Sequence, residues 1–379
     1  MLRDLLLRAP PFPLSVNHPL RMHFREVCEE LRRNPRAWLV TGAAGFIGSN
    51  LVQELLGLGQ YVTGLDNFAT GHQHNLDEAL SAVNGGEGRF RFVEGDIRVP
   101  ETCRTACDGV EYVLHHAAQV SVPGSIADPV LSTRVNVEGH LNVLLASRDA
   151  GVRRVVYASS SAVYGDTTRS PQLENEVGHL LSPYAASKAA NEAYAAVFQR
   201  VFGLESIGLR YFNIFGPRQD PDGAYAAVIP RWIANLLRGV PCEIFGDGLT
   251  SRDFCHVANV VQANILAATS SNVEAIGEVY NIACGEETSL NALYSILQNE
   301  LTVVRPDLAS VRPHHNPPRP GDIRRSSADI EKARSRLGFE PVRSTSAGLH
   351  DTLAWYCSRL GVCEDPTFAQ HDGSAAQPL

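Results

Sequence analysis

The sequence predicts an α/β fold, a parallel sheet with helices on both faces and a smaller C-terminal lobe interleaved with it. Two observations carry this expectation. From residue 37 onward, short apolar runs alternate with segments of three- and four-residue apolar spacing, the pattern of strand–helix–strand crossovers. One such strand, 38–42, runs directly into Gly42-x-x-Gly45-x-x-Gly48 and then into a helix carrying Phe46, Ile47, Leu51, Val52, Leu55 and Leu56. In that setting the first glycine keeps the turn tight, and the second lets a pyrophosphate approach the backbone. The third lets helix and strand pack closely.

Taken in order, the chain opens with residues 1–36, an N-terminal extension. Its first 21 residues hold four prolines and no periodicity, and the only methionines are Met1 and Met22. We therefore expect 1–21 to be disordered or a start-site extension, followed by a helix at 23–33. Strands are expected at 38–42, 61–65, 90–94, 111–115, 153–158 and 204–210. Helices are expected at 46–57, 74–83, 100–107, 132–150, 185–203 and 226–238. Alternation of this kind describes a Rossmann-type, doubly wound sheet over 37–212. The pattern loosens in the lobe 213–358, where helices near 257–270, 289–301 and 345–358 alternate with proline-rich loops. The tail 359–379 is expected to be flexible.

Composition limits the function classes. With 44% hydrophobic and 20% charged residues the chain reads as a soluble globular enzyme. A net charge of −8 disfavours nucleic acid or an anionic membrane as partner, so an anionic ligand needs local basic groups. Eight cysteines occur without a C-x-x-C pair, which predicts reduced thiols in a cytoplasmic protein and no metal site. No apolar run approaches the ~20 residues of a membrane span.

Three further positions carry chemistry. Strand 61–65 ends at Asp66, 18 residues after Gly48, where an acid can accept from the adenosine ribose hydroxyls. Tyr184 and Lys188 open the helix 185–203 four residues apart, so their side chains point the same way. A phenol has a reference pKa near ~10, and a neighbouring ammonium and a nicotinamide cation would both favour the phenolate a base requires. Strand 153–158 ends in Ser159-Ser160-Ser161, where a hydroxyl can reach the same centre. His115 and His116, at a strand end, read as packing, as do Trp232 and Trp355 on helices.

Together these stretches resemble the extended short-chain dehydrogenase/reductase family: Thr41-Gly-x-x-Gly-x-x-Gly48, Gly95-Asp-Ile97, His115-His-Ala-Ala118, Ser159-Ser-Ser161 and Tyr184-x-x-x-Lys188. Within it, residues 36–358 are most similar to nucleotide-sugar 4-epimerases, especially the bacterial UDP-N-acetylglucosamine 4-epimerases of O-antigen and capsule synthesis. Leu209–Arg218, Gly223–Pro230 and Gly246–Phe254 add to the likeness.

The resemblance implies the roles that follow. NAD would be held by Gly42, Gly45, Phe46, Ile47 and Gly48 at the pyrophosphate and by Asp66 and Asn67 at the ribose. Asp96 and Ile97 would lie by the adenine, and Ala117, Ala118, Tyr211 and Lys188 on the nicotinamide side. Asp66, with no nearby Arg or Lys, favours NAD over NADP. Ser160 would be the catalytic hydroxyl, with Ser161 an adjacent alternative; Tyr184 would be the base, and Lys188 would lower its pKa. A UDP-sugar would meet Ser121, Ser160, Ser161, Tyr184, Asn213, Val228, Arg252, Arg319, Asp322 and Ser326. Arginine suits the diphosphate because its planar fork donates two hydrogen bonds. Gly124 stands where a basic residue is expected.

Related dehydratases carry an Asp-Glu pair where this chain has Ser161 and Ala162, which disfavours dehydration. Ser326 is small where a tyrosine would restrict the pocket to plain hexoses, so UDP-GlcNAc/UDP-GalNAc is favoured. UDP-glucose/UDP-galactose or UDP-hexuronate 4-epimerisation, dehydration and a non-catalytic NAD-binding role are the alternatives. Helices 132–150 and 185–203 are long enough for the four-helix homodimer interface of the family.

Overall fold

The computed structural model describes residues 24–223, 226–318 and 323–360. The expectations for 1–21, for the tail beyond 360, for Cys363 and for Arg319 and Asp322 lie outside the described residues.

An N-terminal helix, α1 (Phe24–Arg33), precedes the first strand–turn–helix unit of β1 (Ala37–Thr41) and α2 (Phe46–Gly57). Then follow β2 (Tyr61–Asp66), α3 (Gln73–Ser81), β3 (Phe90–Glu94), α4 (Pro100–Cys107) and β4 (Tyr112–His115). Short helices α5 (Val122–Ala127) and α6 (Pro129–Thr133) lead to α7 (Gly139–Asp149), β5 (Arg154–Ser160), α8 (Pro183–Phe202) and β6 (Glu205–Tyr211). The later chain holds β7 (Ile214–Phe215), α9 (Val228–Leu237), β8 (Glu243–Phe245), β9 (Ser251–Arg252), β10 (Cys255–His256) and α10 (Val257–Thr269). It closes with β11 (Val279–Ile282), β12 (Thr288–Ser289), α11 (Leu290–Thr302), β13 (His314–Asn316), β14 (Arg325–Ser326), α12 (Glu331–Leu337) and α13 (Thr345–Arg359).

Seven parallel strands form the main sheet in the order β11-β6-β5-β4-β1-β2-β3. Strand order reverses between β1 and β4, and a crevice opens at their carboxyl ends, where ligands of such sheets bind. β1 is buried because it is flanked on both edges, Val40 pairing with Gly64 and with Leu114. Among strands of this sheet the sequence reading passed over β11, a four-residue run, Val-Tyr-Asn-Ile, lying well beyond β6 in the chain. It pairs with β6, so the later part of the chain completes the sheet.

The helices follow local signals. Ser182 caps α8 by accepting from the Ala185 N–H, Pro183 occupies its first turn, and Gly203 ends it at φ +72°. The helix expected over 132–150 is present and starts a little earlier: α6, a π-turn at Arg134–Glu138 and α7 follow one another with helical backbone throughout. The wider turn buries Asn136, whose side chain bridges Gln119 and Ser187 (below), a long-range contact that periodicity does not encode.

A second apolar core built around Trp232, Phe254, Leu293, Leu297, Leu353 and Tyr356 holds the C-terminal lobe. Trp232 is fully buried and Trp355 half-buried, in line with packing roles. The described cysteines are all thiols. Among the described residues no helix is long and apolar enough to cross a membrane.

Candidate active site

The first half of the site is a backbone cradle at the β1–α2 turn. Gly42 has φ +70°, and a Cβ there would stand 2.8 Å from the Ala117 nitrogen. At Gly48 a Cβ would fall 1.9 Å from the Gly42 carbonyl oxygen, so turn and helix touch backbone to backbone. Gly45, Phe46 and Ile47 lie at the start of α2, whose first N–H groups have no intrahelical acceptor and attract anions. Asp66 caps the neighbouring strand: its carboxylate accepts from the Ala44 N–H (2.9 Å) and the Phe68 N–H (2.8 Å).

Asn67 Nδ2 donates to Asp96 (2.8 Å). Arg98 grips the same carboxylate through Nε (3.0 Å) and Nη2 (2.7 Å) and holds its pKa down at about 2. A cavity of about 450 Å³ opens beside Asp96, lined also by Arg98, Val99, Arg134 and Glu138. Ile97 is buried against Gly139, where a Cβ would meet it at 2.6 Å.

At the other end, the Thr41 hydroxyl accepts from the His116 and Ala117 N–H groups, 3.1 Å each. Its own hydrogen therefore goes to His115 Nδ1, 2.7 Å away, which makes His115 a structural acceptor. Ala117 and Ala118 follow, half-buried along the crevice. Tyr211 is buried, with its hydroxyl occupied by His116 Nε2 (2.9 Å) and Asn264 Nδ2 (2.8 Å). Any cofactor contact it makes runs through its ring or backbone. A tight glycine cradle, a helix N-terminus and an acid at the tip of β2 fit the pyrophosphate and adenosine ribose of a dinucleotide.

The second half of the site meets at the start of α8. Ser160, the last residue of β5, hydrogen-bonds the Tyr184 side chain, while its oxygen accepts from the Ala162 N–H (3.1 Å). Ser159 instead donates to Glu192 (2.5 Å), and Ser161 begins the following 3-10 turn, half-buried. Of the three serines, Ser160 is thus the one brought to Tyr184. Burial raises the pKa of the Tyr184 phenol, and the Ser160 hydrogen bond works against that rise. Lys188 Nζ donates to the Ala158 carbonyl (2.9 Å) and stands 5.8 Å from the Tyr184 ring centre. Burial lowers it to about 8, opposed by the Glu192 carboxylate.

Tyr184 is held in place by groups that sequence reasoning passed over. Buried Ser125 accepts from the Tyr184 N–H (3.0 Å) and donates to the Val122 carbonyl (2.7 Å). Ser187 donates to the Tyr184 carbonyl (2.7 Å) and accepts from Asn136 Nδ2 (3.0 Å). Asn136 also pairs with the Gln119 backbone at both polar atoms. Ser121 caps α5 by accepting from the Gly124 N–H (2.9 Å).

Across the crevice, Asn213 sits at φ +40° and donates to the Asp253 carbonyl (2.9 Å). Arg252 donates to the Ser251 and Ile323 carbonyls at 2.8 and 2.6 Å. β9 and β14 pair in parallel, which sets Ser326 in register with Arg252. Asp253, between these groups, accepts from the Cys284 and Gly285 N–H groups (2.9 Å each), and burial pushes its pKa up to about 6. Val228 begins α9, half-buried. Asn213, Arg252 and Ser326 are therefore gathered around one loop.

Residues 38–283 match the NAD dependent epimerase/dehydratase family. A UDP-glucose 4-epimerase from Mycolicibacterium smegmatis is 38% identical over 84% of this chain and 97% of its own length. Among solved structures, a UDP-N-acetylglucosamine 4-epimerase from Methanobrevibacter ruminantium, in complex with UDP-N-acetylmuramic acid, matches with TM-score 0.77 and 34% identity. That match covers 86% of this chain and 99% of the other. A Thermus thermophilus UDP-glucose 4-epimerase in complex with NAD matches with TM-score 0.72 and 34% identity, covering 84% and 98%.

Proposed function

Since the chain belongs to the NAD-dependent epimerase/dehydratase family, we propose that it catalyses reversible C4 epimerisation of a UDP-sugar, UDP-GlcNAc to UDP-GalNAc, through a 4-keto intermediate. NAD is the cofactor, and when bound it supplies the acceptor and donor of the C4 hydride. Gly42, Gly45 and Gly48 hold its pyrophosphate, and Asp66 its adenosine ribose.

The chain's own residues handle the proton and the position of the sugar. Tyr184 takes the proton of the 4-hydroxyl and returns it to the opposite-handed product. Ser160, already hydrogen-bonded to Tyr184, steadies the oxygen that alternates between hydroxyl and carbonyl. Lys188 places a positive charge beside the phenolate. Asn213, Arg252 and Arg319 anchor the diphosphate, and Asp322 the nucleoside ribose, while the sugar turns between the two presentations. Ser161 and Ala162 supply no ionisable group for elimination, which supports epimerisation over dehydration.

The observation that carries the choice of sugar is Ser326, a small residue in register with Arg252. A small residue at this place is what an acetamido group beside the diphosphate anchor would require. A second reading, UDP-glucose/UDP-galactose epimerisation, has the support of relatives bearing the UDP-glucose 4-epimerase name. Incubating the purified protein with UDP-GlcNAc, without added NAD, and separating the C4 epimers decides between them. UDP-GalNAc at unchanged mass is the expected product. Conversion of UDP-glucose alone would refute the acetamido assignment, and a loss of water would refute epimerisation.

We assign the active form to a homodimer through α6–α7 and α8. Tyr194, Val197, Val201 and Phe202 on α8 are 40–65% exposed, and Val130 and Leu131 on α6 are exposed as well. An apolar stripe of this kind is the face two copies would join in a four-helix bundle. Light scattering coupled to size-exclusion chromatography tests it, with a mass of one chain as the contrary result.

A further inference from the structure

Glu192 lies one turn beyond Lys188 on α8, which itself lies one turn beyond Tyr184, so the three side chains share one helix face. Its carboxylate is largely enclosed, with 16% of the side chain exposed. It joins three elements at once. From β5 it accepts the Ser159 hydroxyl at 2.5 Å. From β6 it accepts Arg210 through Nε (2.9 Å) and Nη2 (2.8 Å), a two-pronged ion pair. Arg210 continues outward to the Glu174 carbonyl (2.9 Å) and lies 4.9 Å from the Tyr164 ring centre. The Tyr164 hydroxyl donates to Asn281 on β11 (2.5 Å). Ser159 is flanked by Ala158, whose carbonyl receives Lys188 (2.9 Å), and by Ser160, which meets Tyr184.

We infer that Glu192 is a positioning residue of the reaction: it anchors the end of β5 through Ser159 and supplies the negative charge that keeps buried Lys188 an ammonium ion. The inference rests on the proposed roles of Tyr184, Lys188 and Ser160. The other groups facing Lys188 cannot substitute for it. His115 and His116 after β4 and His140 on α7 are buried and held neutral, their pKa values pushed down by desolvation. Tyr184, whose ring centre lies 5.8 Å from Lys188 Nζ, is pushed by burial toward the neutral phenol in the free protein. Arg210 bears a positive charge and disfavours a second one nearby. Among the described residues, Glu192 is then the one carboxylate that opposes the desolvation of Lys188.

The sequence makes a direct test possible, because Lys188 and Lys332 are its only two lysines. Protein grown on lysine labelled with carbon-13 at the ε-position gives two resonances, assigned with Lys332→Arg, and the Lys188 signal is titrated in the NAD-bound protein. In Glu192→Gln the titration midpoint is expected to fall by about one pH unit or more, with kcat down at least roughly tenfold and KM within about twofold. A purely structural role would lower thermal stability and kcat while leaving the midpoint where it is, and that result would overturn the inference. The glutamine amide would turn an N–H donor toward Arg210, so Glu192→Asp serves as the second variant. It keeps the charge but withdraws it by one methylene, and a smaller fall in the same direction is expected. If the glutamine variant does not fold, an unmoved midpoint in Glu192→Asp sinks the idea by itself. The resonance reports without turnover, so a protein inactive on every UDP-sugar would refute the proposed reaction and still leave the Glu192–Lys188 coupling measured.

Discussion

Alanine at Gly48 and at Gly45 should separate two jobs that one glycine motif performs. At Gly48 the added Cβ would meet the Gly42 carbonyl oxygen at 1.9 Å, and reaching an ordinary 3.4 Å contact requires a displacement of about 1.5 Å between turn and helix. The obstructing atom is backbone, held by the Gly42 N–H bond to the Leu65 carbonyl (2.8 Å), so no side chain can swing aside. Overpacking of this kind costs about 3 kcal/mol or more. At roughly 2–4 °C per kcal/mol, the melting temperature should drop by roughly 6–12 °C. At Gly45 the nearest atom would be the same Gly42 oxygen, but 3.2 Å away, and the backbone is ordinary extended geometry, φ −79°, so a shift of about 0.2 Å to an ordinary 3.4 Å contact admits the methyl. That methyl would still stand where α2 presents its N–H groups. Gly45→Ala should therefore melt within about 2 °C of wild type yet copurify with much less NAD. Differential scanning fluorimetry and the NAD released on denaturation give both readings. A Gly48→Ala protein with wild-type melting and full NAD content would refute the close-packing argument.

Three further outcomes are expected. Tyr184→Phe should lower kcat by about 10²–10⁴ with little change in melting temperature, because the hydroxyl is removed while the ring and its backbone bonds to Ser125 and Ser187 stay; steady-state assays of the epimerisation check it. Ser326→Tyr should cut kcat/KM for UDP-GlcNAc at least roughly tenfold more than for UDP-glucose, since the new ring would occupy the acetamido space; equal losses would remove Ser326 from the specificity argument. Glu54, on α2 beside Cys28 of α1, is raised by burial to about 7. Its folded-state pKa lies above the unfolded value, so the fold is favoured at low pH and disfavoured as pH rises through about 7. Glu54→Gln should match wild type near pH 4 and exceed it at pH 8, by about 3 kcal/mol at most, in denaturant titrations; a parallel pair of pH curves would count against it.

Much of this molecule can be read from the residues because the signals are local. The β1–α2 glycine turn, the cap at Ser182 and the apolar periods of α2, α4 and α10 each act within a few positions. What escaped the reading is long-range. Ser125 meets Tyr184 from 59 residues away, and Asn136 meets Ser187 from 51. Neither partner announces the other in sequence. The π-turn at Arg134–Glu138 buries Asn136 inside an otherwise continuous helix, and a helical period carries no sign of it. β11 was overlooked because four residues carry too little alternation to declare a strand. Glu192 left a visible trace, four positions after Lys188, but its meaning depends on Ser159 and Arg210 arriving from other strands. Between Ser160 and Ser161, which the sequence leaves open, the influence of Ser160 on the Tyr184 phenol favours Ser160.

The position of β11 at the edge beside β6 bears on how the protein is made. A ribosome releases β1 to β6 first, and the strand that shields the outer edge of β6 follows only after residue 278. Until then the nascent chain presents a row of unpaired backbone groups along the edge of an otherwise finished sheet, a template for unwanted pairing. A fragment cut after β6 would keep that exposed edge permanently. For this chain the strands up to β6 and the later lobe are thus not separable modules, and truncating at residue 212 should yield aggregates in place of a smaller folded protein.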